Sequence, residues 1–311
     1  MLDLSSAKNQ KERIDIISKH LESGMKKLFS SEHYKNYLQT LSKFHQYSAN
    51  NCLLIYIQSE GKATLVNSYT GWKSLGRYPD RGQKGITIIC PTPFHKEIDK
   101  EVKDKNGNPV LDADGNPQYT KETLSYMNFR TGTVFDISQT SGRDLELLQP
   151  KLLDREVENY DEIISALVKA ANCEVSFEKI EGNAYGYYDA VNKKIVVEET
   201  LPQLAQIKTL AHEIGHERAD ELSILHNLTR EENEILAEST AFVVSEAIGA
   251  DTSEYSFEYI GAYSKNGISS LRPLLSDIQK CSNEIITSLN KELHIENDIQ
   301  RSEVKHKSRT A

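Results

Sequence analysis

The sequence predicts an α+β protein of two domains on three observations. The chain has 311 residues, more than one compact core ordinarily organises. Charge is divided unevenly, with 20 Lys and Arg against 17 Asp and Glu in residues 1–150 and 17 against 29 in residues 151–311. Both halves mix apolar residues at helical spacing with short glycine-bounded runs typical of strands. The expected boundaries are a front domain over 1–145, a second domain over 155–281 and a polar tail over 282–311.

Ile14, Ile17, Leu21, Met25 and Leu28 repeat at helical spacing, and a second helix is expected around Tyr34 to Phe44. Tyr47 to Gln58 follows as an amphipathic helix with an unbroken apolar centre. Gly61, Gly71, Gly76, Gly82 and Gly85 then punctuate shorter segments that end in the strand Ile86–Cys90. Residues 95–123 are charged and turn-rich, with Asn106-Gly107 and Asp114-Gly115 as hairpin signals, so an exposed hairpin insertion is expected there. A strand from Tyr126 to Phe135 closes the front domain, and Ser138 to Asp154 reads as linker.

The second domain opens with a helix from about Tyr160 to Ala171 and two strands, Ala184–Asp189 and Lys193–Glu198. Next comes His212-Glu213-Ile214-Gly215-His216, the pattern HExxH. Residues four apart share one helix face, so His212 and His216 can offer two imidazole nitrogens to one metal ion, with Glu213 beside them as base. Thr200-Leu-Pro-Gln203 reads as a capping box for that helix, and Thr229-Arg-Glu-Glu232 as the cap of the next one, which ends at Gly249. Glu234 and Glu238 lie one turn apart on that second helix. Ala237, Ala241 and Ser245 are small and would let it approach Gly215.

Composition excludes several classes. With 38% hydrophobic and 27% charged residues the chain suits a globular protein. No apolar run reaches the length of a membrane span, and charges stand in the first dozen residues where a signal peptide needs an apolar core. A cytoplasmic location is expected. Cys52, Cys90, Cys173 and Cys281 are widely spaced and read as reduced packing residues. Residues 61–85 hold Lys62, Lys73, Arg77, Arg81 and Lys84 against Asp80, with Tyr69, Trp72 and Tyr78 among them. Cations that track phosphates and rings that stack on bases suit single-stranded DNA.

Tyr47-Ser48, Asn51, Leu53-Leu54-Ile55, Gln58, Trp72, Gly76-Arg77, Lys84-Gly85-Ile86, Val134-Phe135-Asp136 and Gln139-Thr140 stand in an order that resembles the ArdC-like antirestriction proteins of plasmids and conjugative elements. In the second half the matching residues are His212-Glu213, Gly215-His216, Glu234, Ala237-Glu238-Ser239, Ala241-Phe242 and Asp251 through Phe257. The resemblance implies an N-terminal single-stranded-DNA-binding domain joined to a C-terminal zincin-like metallopeptidase domain. It implies DNA contact by the front domain, for which Tyr47, Asn51, Trp72, Lys73, Arg77 and Lys84 are the candidates. It also implies zinc (Zn2+) on His212 and His216, and similarity to gluzincins favours Glu234 as third ligand and Glu238 as partner of a ligand histidine.

The expected chemistry is peptide hydrolysis with Glu213 as general base. Tyr255 or Tyr259 could face the oxyanion, but the chain has fifteen tyrosines and the pattern singles out neither. The expected partners are single-stranded DNA and an unidentified protein or peptide substrate, with no membrane. Two other functions fit the same residues: a DNA-coating protein with a structural or inactive metal site, and a protease resembling the IrrE and ImmA types that cleaves a repressor.

Overall fold

A computed structural model describes residues 2–145 apart from 106 and 113, residue 157, and residues 159–293, without the side chains of 224–226. The chain forms two compact units. One comprises residues 17–88 and those from 133 onward; the other comprises residues 4–16 and 89–132.

Helix α1 (Gln10–Lys27) buries Ile17, Leu21 and Met25, the expected stripe. Helix α2 (Ser31–Lys43) buries Tyr34, Tyr37, Leu38 and Leu41. Helix α3 (Ala49–Ser59) starts where the Ser48 hydroxyl accepts the Asn51 N–H, and it buries every residue from Asn51 to Tyr56. Strand β1 (Val66–Ser68), helix α4 (Tyr69–Ser74) and strand β2 (Arg77–Pro79) follow, then two long strands, β3 (Ile86–Glu101) and β4 (Tyr119–Asp136), and short β5 (Thr140–Gly142). The first sheet has the order β1-β4-β3, while β2 pairs with β5, Arg77 opposite Gly142. The expected insertion at 95–123 is therefore the outer part of one continuous ribbon. Part of the expected linker is ordered too, because residues 140–142 pair with β2.

Helix α5 (Tyr160–Ala170) leads to β6 (Glu174–Glu178), β7 (Gly186–Asp189) and β8 (Lys194–Glu198). The sheet order is β6-β8-β7, with β6 parallel and β7 antiparallel to β8. Ile195, Val196 and Val197 of the central strand are all buried, as a strand covered on both faces requires. Helix α6 (Gln203–His226) carries HExxH. Helix α7 (Arg230–Ala247) follows a left-handed Asn227 and begins at the expected capping box, in which Thr229 and Glu232 satisfy each other's backbone N–H groups. The box expected at Thr200 does not form: Pro202 holds the cap position, and the Thr200 hydroxyl donates to Glu198 at 2.7 Å.

Helix α8 (Tyr259–Tyr263) precedes α9 (Gly267–Glu292), which buries Ile278, Cys281, Ile285, Ile286 and Leu289. The stretch 282–292, expected in the polar tail, is thus helical with one apolar stripe. Residues 294–311 of that tail, including Arg301 to Arg309, and residues 146–154 of the linker lie outside the described residues.

Front and rear helices share one core. The Tyr34 hydroxyl lies 2.8 Å from Ser239 Oγ, the Lys35 ammonium donates to the carbonyls of Thr252 and Tyr255, and His45 Nδ1 meets Asn283 at 2.9 Å. The boundary near 145 stays a proposal about function, since residues on both sides of it pack in the same unit. Among the described residues no helix is long and apolar enough to cross a membrane.

Candidate metal centre

α6 and α7 approach each other most closely where neither has a bulky side chain. A methyl group on Gly215 would stand 2.6 Å from the Ala237 Cα, inside any allowed contact. This closeness brings Glu234, one turn before Ala237, to the two histidines. The Nε2 atoms of His212 and His216 face each other at 3.0 Å, and a Glu234 oxygen lies 3.7 Å from His216 Nε2. One donor atom from each of His212, His216 and Glu234 falls within 4.8 Å of the other two. Glu238 occupies a different place, its Oε2 3.1 Å from His212 Nδ1, the ring nitrogen turned away from the cluster.

The electrostatics follow from burial. Glu213 is 6% exposed, and desolvation pushes its carboxyl up to about 7, against the opposing pull of His212 and the backbone N–H of Tyr188. Burial depresses His212, but the Glu238 hydrogen bond and nearby carboxylates more than offset it, so this imidazole is raised. His216 is depressed by burial and by the neighbouring His212. Glu213 also lies along β7: a Cβ on Gly186 would come 2.6 Å from Thr209 and 3.3 Å from Glu213 Cγ. β7 is an edge strand of its sheet and runs beside the base.

The donor set suits a divalent transition metal. Two imidazoles and one carboxylate converge, and the remaining ring nitrogen of His212 is held by an acid, an arrangement that fixes ligand histidines. Sequence reasoning missed the Tyr188 N–H, because a backbone donor leaves no side-chain signature. Of the two tyrosines raised for the oxyanion, Tyr255 stacks on Phe257 and meets the edge of Phe242. The Tyr259 hydroxyl is buried beside Ser239.

The candidate DNA residues divide. Trp72 is fully buried and donates its indole N–H to the Phe135 carbonyl at 2.8 Å, so its ring is packed in the core and offers no face to a base. Arg77 donates to the Thr140 hydroxyl, the Thr140 carbonyl and the Arg143 carbonyl, pinning β2 to β5 with three of its five N–H donors. Asn51 is buried in the first turn of α3, and Tyr47 is half-buried against Phe44. Lys73 and Lys84 are exposed. Of the expected six, Asn51, Trp72 and Arg77 are engaged in the fold, Tyr47 is half-buried, and Lys73 and Lys84 are exposed cations with no ion-pair partner among the described residues.

A mixed helix and sheet protein with a paired-histidine helix defines a broad class, and the comparisons narrow it. Residues 7–135 match the family model for the N-terminal domain of anti-restriction factor ArdC, so the front of this chain is ArdC-like. An uncharacterized protein of Bacillus anthracis is 25% identical over 331 aligned positions, covering 96% of this chain and 54% of the relative. The chain spans about half the length of that relative. Among solved structures, the metal-free antirestriction ArdC protein from the R388 plasmid is 18% identical, covers 80% of this chain and 86% of its own, and has a TM-score of 0.48. The Mn(II)-bound structure of that protein is 15% identical, with 79% and 84% covered and a TM-score of 0.45.

Proposed function

We propose that this chain is a zinc-dependent peptidase of the antirestriction type whose front domain binds single-stranded DNA. The observation that supports it is the convergence of His212, His216 and Glu234 within 4.8 Å, next to a buried Glu213. His212, His216 and Glu234 would hold the ion, and a His, His, Glu set with an open position is a zinc set. When bound, zinc would polarise a peptide carbonyl and acidify a water.

The chain's own residues then have defined tasks. Glu213, its carboxyl raised to about 7 by burial, takes a proton from the attacking water and returns it to the leaving amine. Glu238 accepts from His212 Nδ1–H, which turns the Nε2 lone pair toward the ligand space. β7 is an edge strand beside the base, where an extended peptide could add to the sheet, a way of holding substrate that reads few side chains. The acidic rear and more basic front of the chain divide the labour, since only the front has the charge to track phosphates.

The decisive experiment replaces Glu213 by Gln in the full chain and measures zinc content, peptide hydrolysis and protection of incoming DNA together. Retained zinc with lost hydrolysis supports the peptidase. Undiminished protection in that variant would make the DNA-coating function sufficient and proteolysis unnecessary to it.

A further inference from the structure

We propose that one face of the β3–β4 ribbon, carrying Phe94, Lys96, Tyr126 and Arg130, is a docking surface for single-stranded DNA. The proposal rests on the DNA-binding function proposed above and gives it a location. Of the residues expected to stack and to meet phosphates, Trp72 and Arg77 are engaged within the fold, whereas the ribbon exposes the rings of Phe94 and Tyr126.

His95 Nδ1 lies 2.9 Å from Ser125 Oγ, so these two side chains share a face. Side chains alternate along a strand, which puts Phe94 and Lys96 with Tyr126 and Arg130 on the other face. Two ion pairs agree with this division, Lys100 with Glu122 at 2.7 Å on the proposed face and Lys121 with Glu97 at 3.4 Å on the opposite one. On the proposed face Phe94 is 49% exposed and Tyr126, beside it on the partner strand, is 48% exposed.

Charge distinguishes the two faces. The proposed face carries Lys96, Lys100 and Arg130 against Glu122 alone, and that one acid is already held by Lys100. The opposite face carries Glu97, Asp99 and Glu101 against Lys121. A polyanion is therefore attracted to one side of the ribbon and repelled from the other. Lys96 and Arg130 are exposed and have no ion-pair partner among the described residues. With same-face residues roughly 7 Å apart, Lys96 stands about 7 Å to one side of the two rings and Arg130 about 13 Å to the other. Two rings bracketed by exposed cations present stacking surfaces and phosphate contacts along a single line, which suits an unpaired strand.

The test uses the full chain and a fluorescein-labelled oligothymidylate strand, with binding followed by anisotropy across a salt series. Phe94→Ala with Tyr126→Ala should weaken binding about tenfold or more, given the usual cost of losing a stacked base. Lys96→Gln with Arg130→Gln should make the slope of log affinity against log salt shallower by about 1.4. Met127→Ala with Phe129→Ala, on the opposite face, should leave affinity unchanged. All six positions are exposed, and unchanged thermal unfolding and zinc content would verify that each variant is folded. If the parent binds and both proposed-face variants bind with the same affinity and slope, the ribbon assignment is overturned while DNA binding stands. If the parent fails to bind even at low salt, the DNA-binding function and the ribbon assignment fall together. Loss of self-association in the proposed-face variants with DNA affinity intact would assign the face to a second copy of the chain and overturn the proposal.

Discussion

At the level of single residues, the two glutamates of α7 are the sharpest case of like side chains in unlike roles. Glu234 reaches the Nε2 side of the histidine pair, and Glu238 reaches Nδ1 of His212. Glu234→Ala should therefore abolish tight zinc binding, whereas Glu238→Ala should weaken affinity or activity about 10- to 100-fold and still load at excess zinc. Zinc titrations of the two variants side by side would check this, and the reverse order would exchange the roles. Glu213→Gln should keep its zinc and lose about 100- to 10,000-fold in peptide hydrolysis, the usual worth of a general base. Trp72 belongs to stability. Its replacement by Ala should lower the unfolding free energy by about 3–5 kcal/mol, measured by denaturant titration.

Elements are fixed by a few side chains that serve backbone groups. Asp136, buried at the end of β4, accepts from the N–H groups of Thr64, Leu65 and Ser138 and from the Ser138 hydroxyl. Burial alone would raise its carboxyl, but these four donors outweigh it, and the group is lowered below its ordinary value. A carboxylate depressed in the folded state contributes stability above its unfolded value, about 3.9, and that contribution is lost as pH falls through the lower folded value. Asp136→Asn should cost about 1.5–3 kcal/mol at neutral pH, as for hydrogen bonds to a charged group. It should also flatten the stability curve below pH 4, which urea unfolding at several pH values would show. Gln58 works similarly, accepting the Thr87 N–H and donating to its carbonyl, so that α3 is bound to β3. These residues carry the ArdC-like pattern, and the structure gives them structural tasks.

At the scale of the molecule, the proposed division of labour between front and rear goes with a common core. Tyr34, Tyr37, Leu38 and Leu41 of α2 are fully buried, and Tyr34 meets Ser239, the residue after Glu238. A fragment ending at residue 145 would uncover this apolar surface. It should unfold without cooperativity, or aggregate, while the full chain shows a cooperative transition. Differential scanning calorimetry of both would decide, and a cooperative transition in the fragment would establish an independent front domain.

What the sequence determined by itself is what depends on spacing along one helix or one turn. His216 four positions after His212, Glu238 four after Glu234, Thr229 three before Glu232, and small residues opposite Gly215 all act within or between adjacent helices, where period alone dictates which side chains meet. The hairpin signals at 106–107 and 114–115 are local in the same way. Tertiary structure decided what depends on contacts far apart in the chain. Nothing in the residues around Trp72 or Arg77 reveals that one is sealed beneath β4 and the other clamped to β5, because their partners lie 63 to 66 residues away. Burial is a property of those distant partners. It took Trp72 and Arg77 into the fold and left Phe94 and Tyr126 of the ribbon exposed.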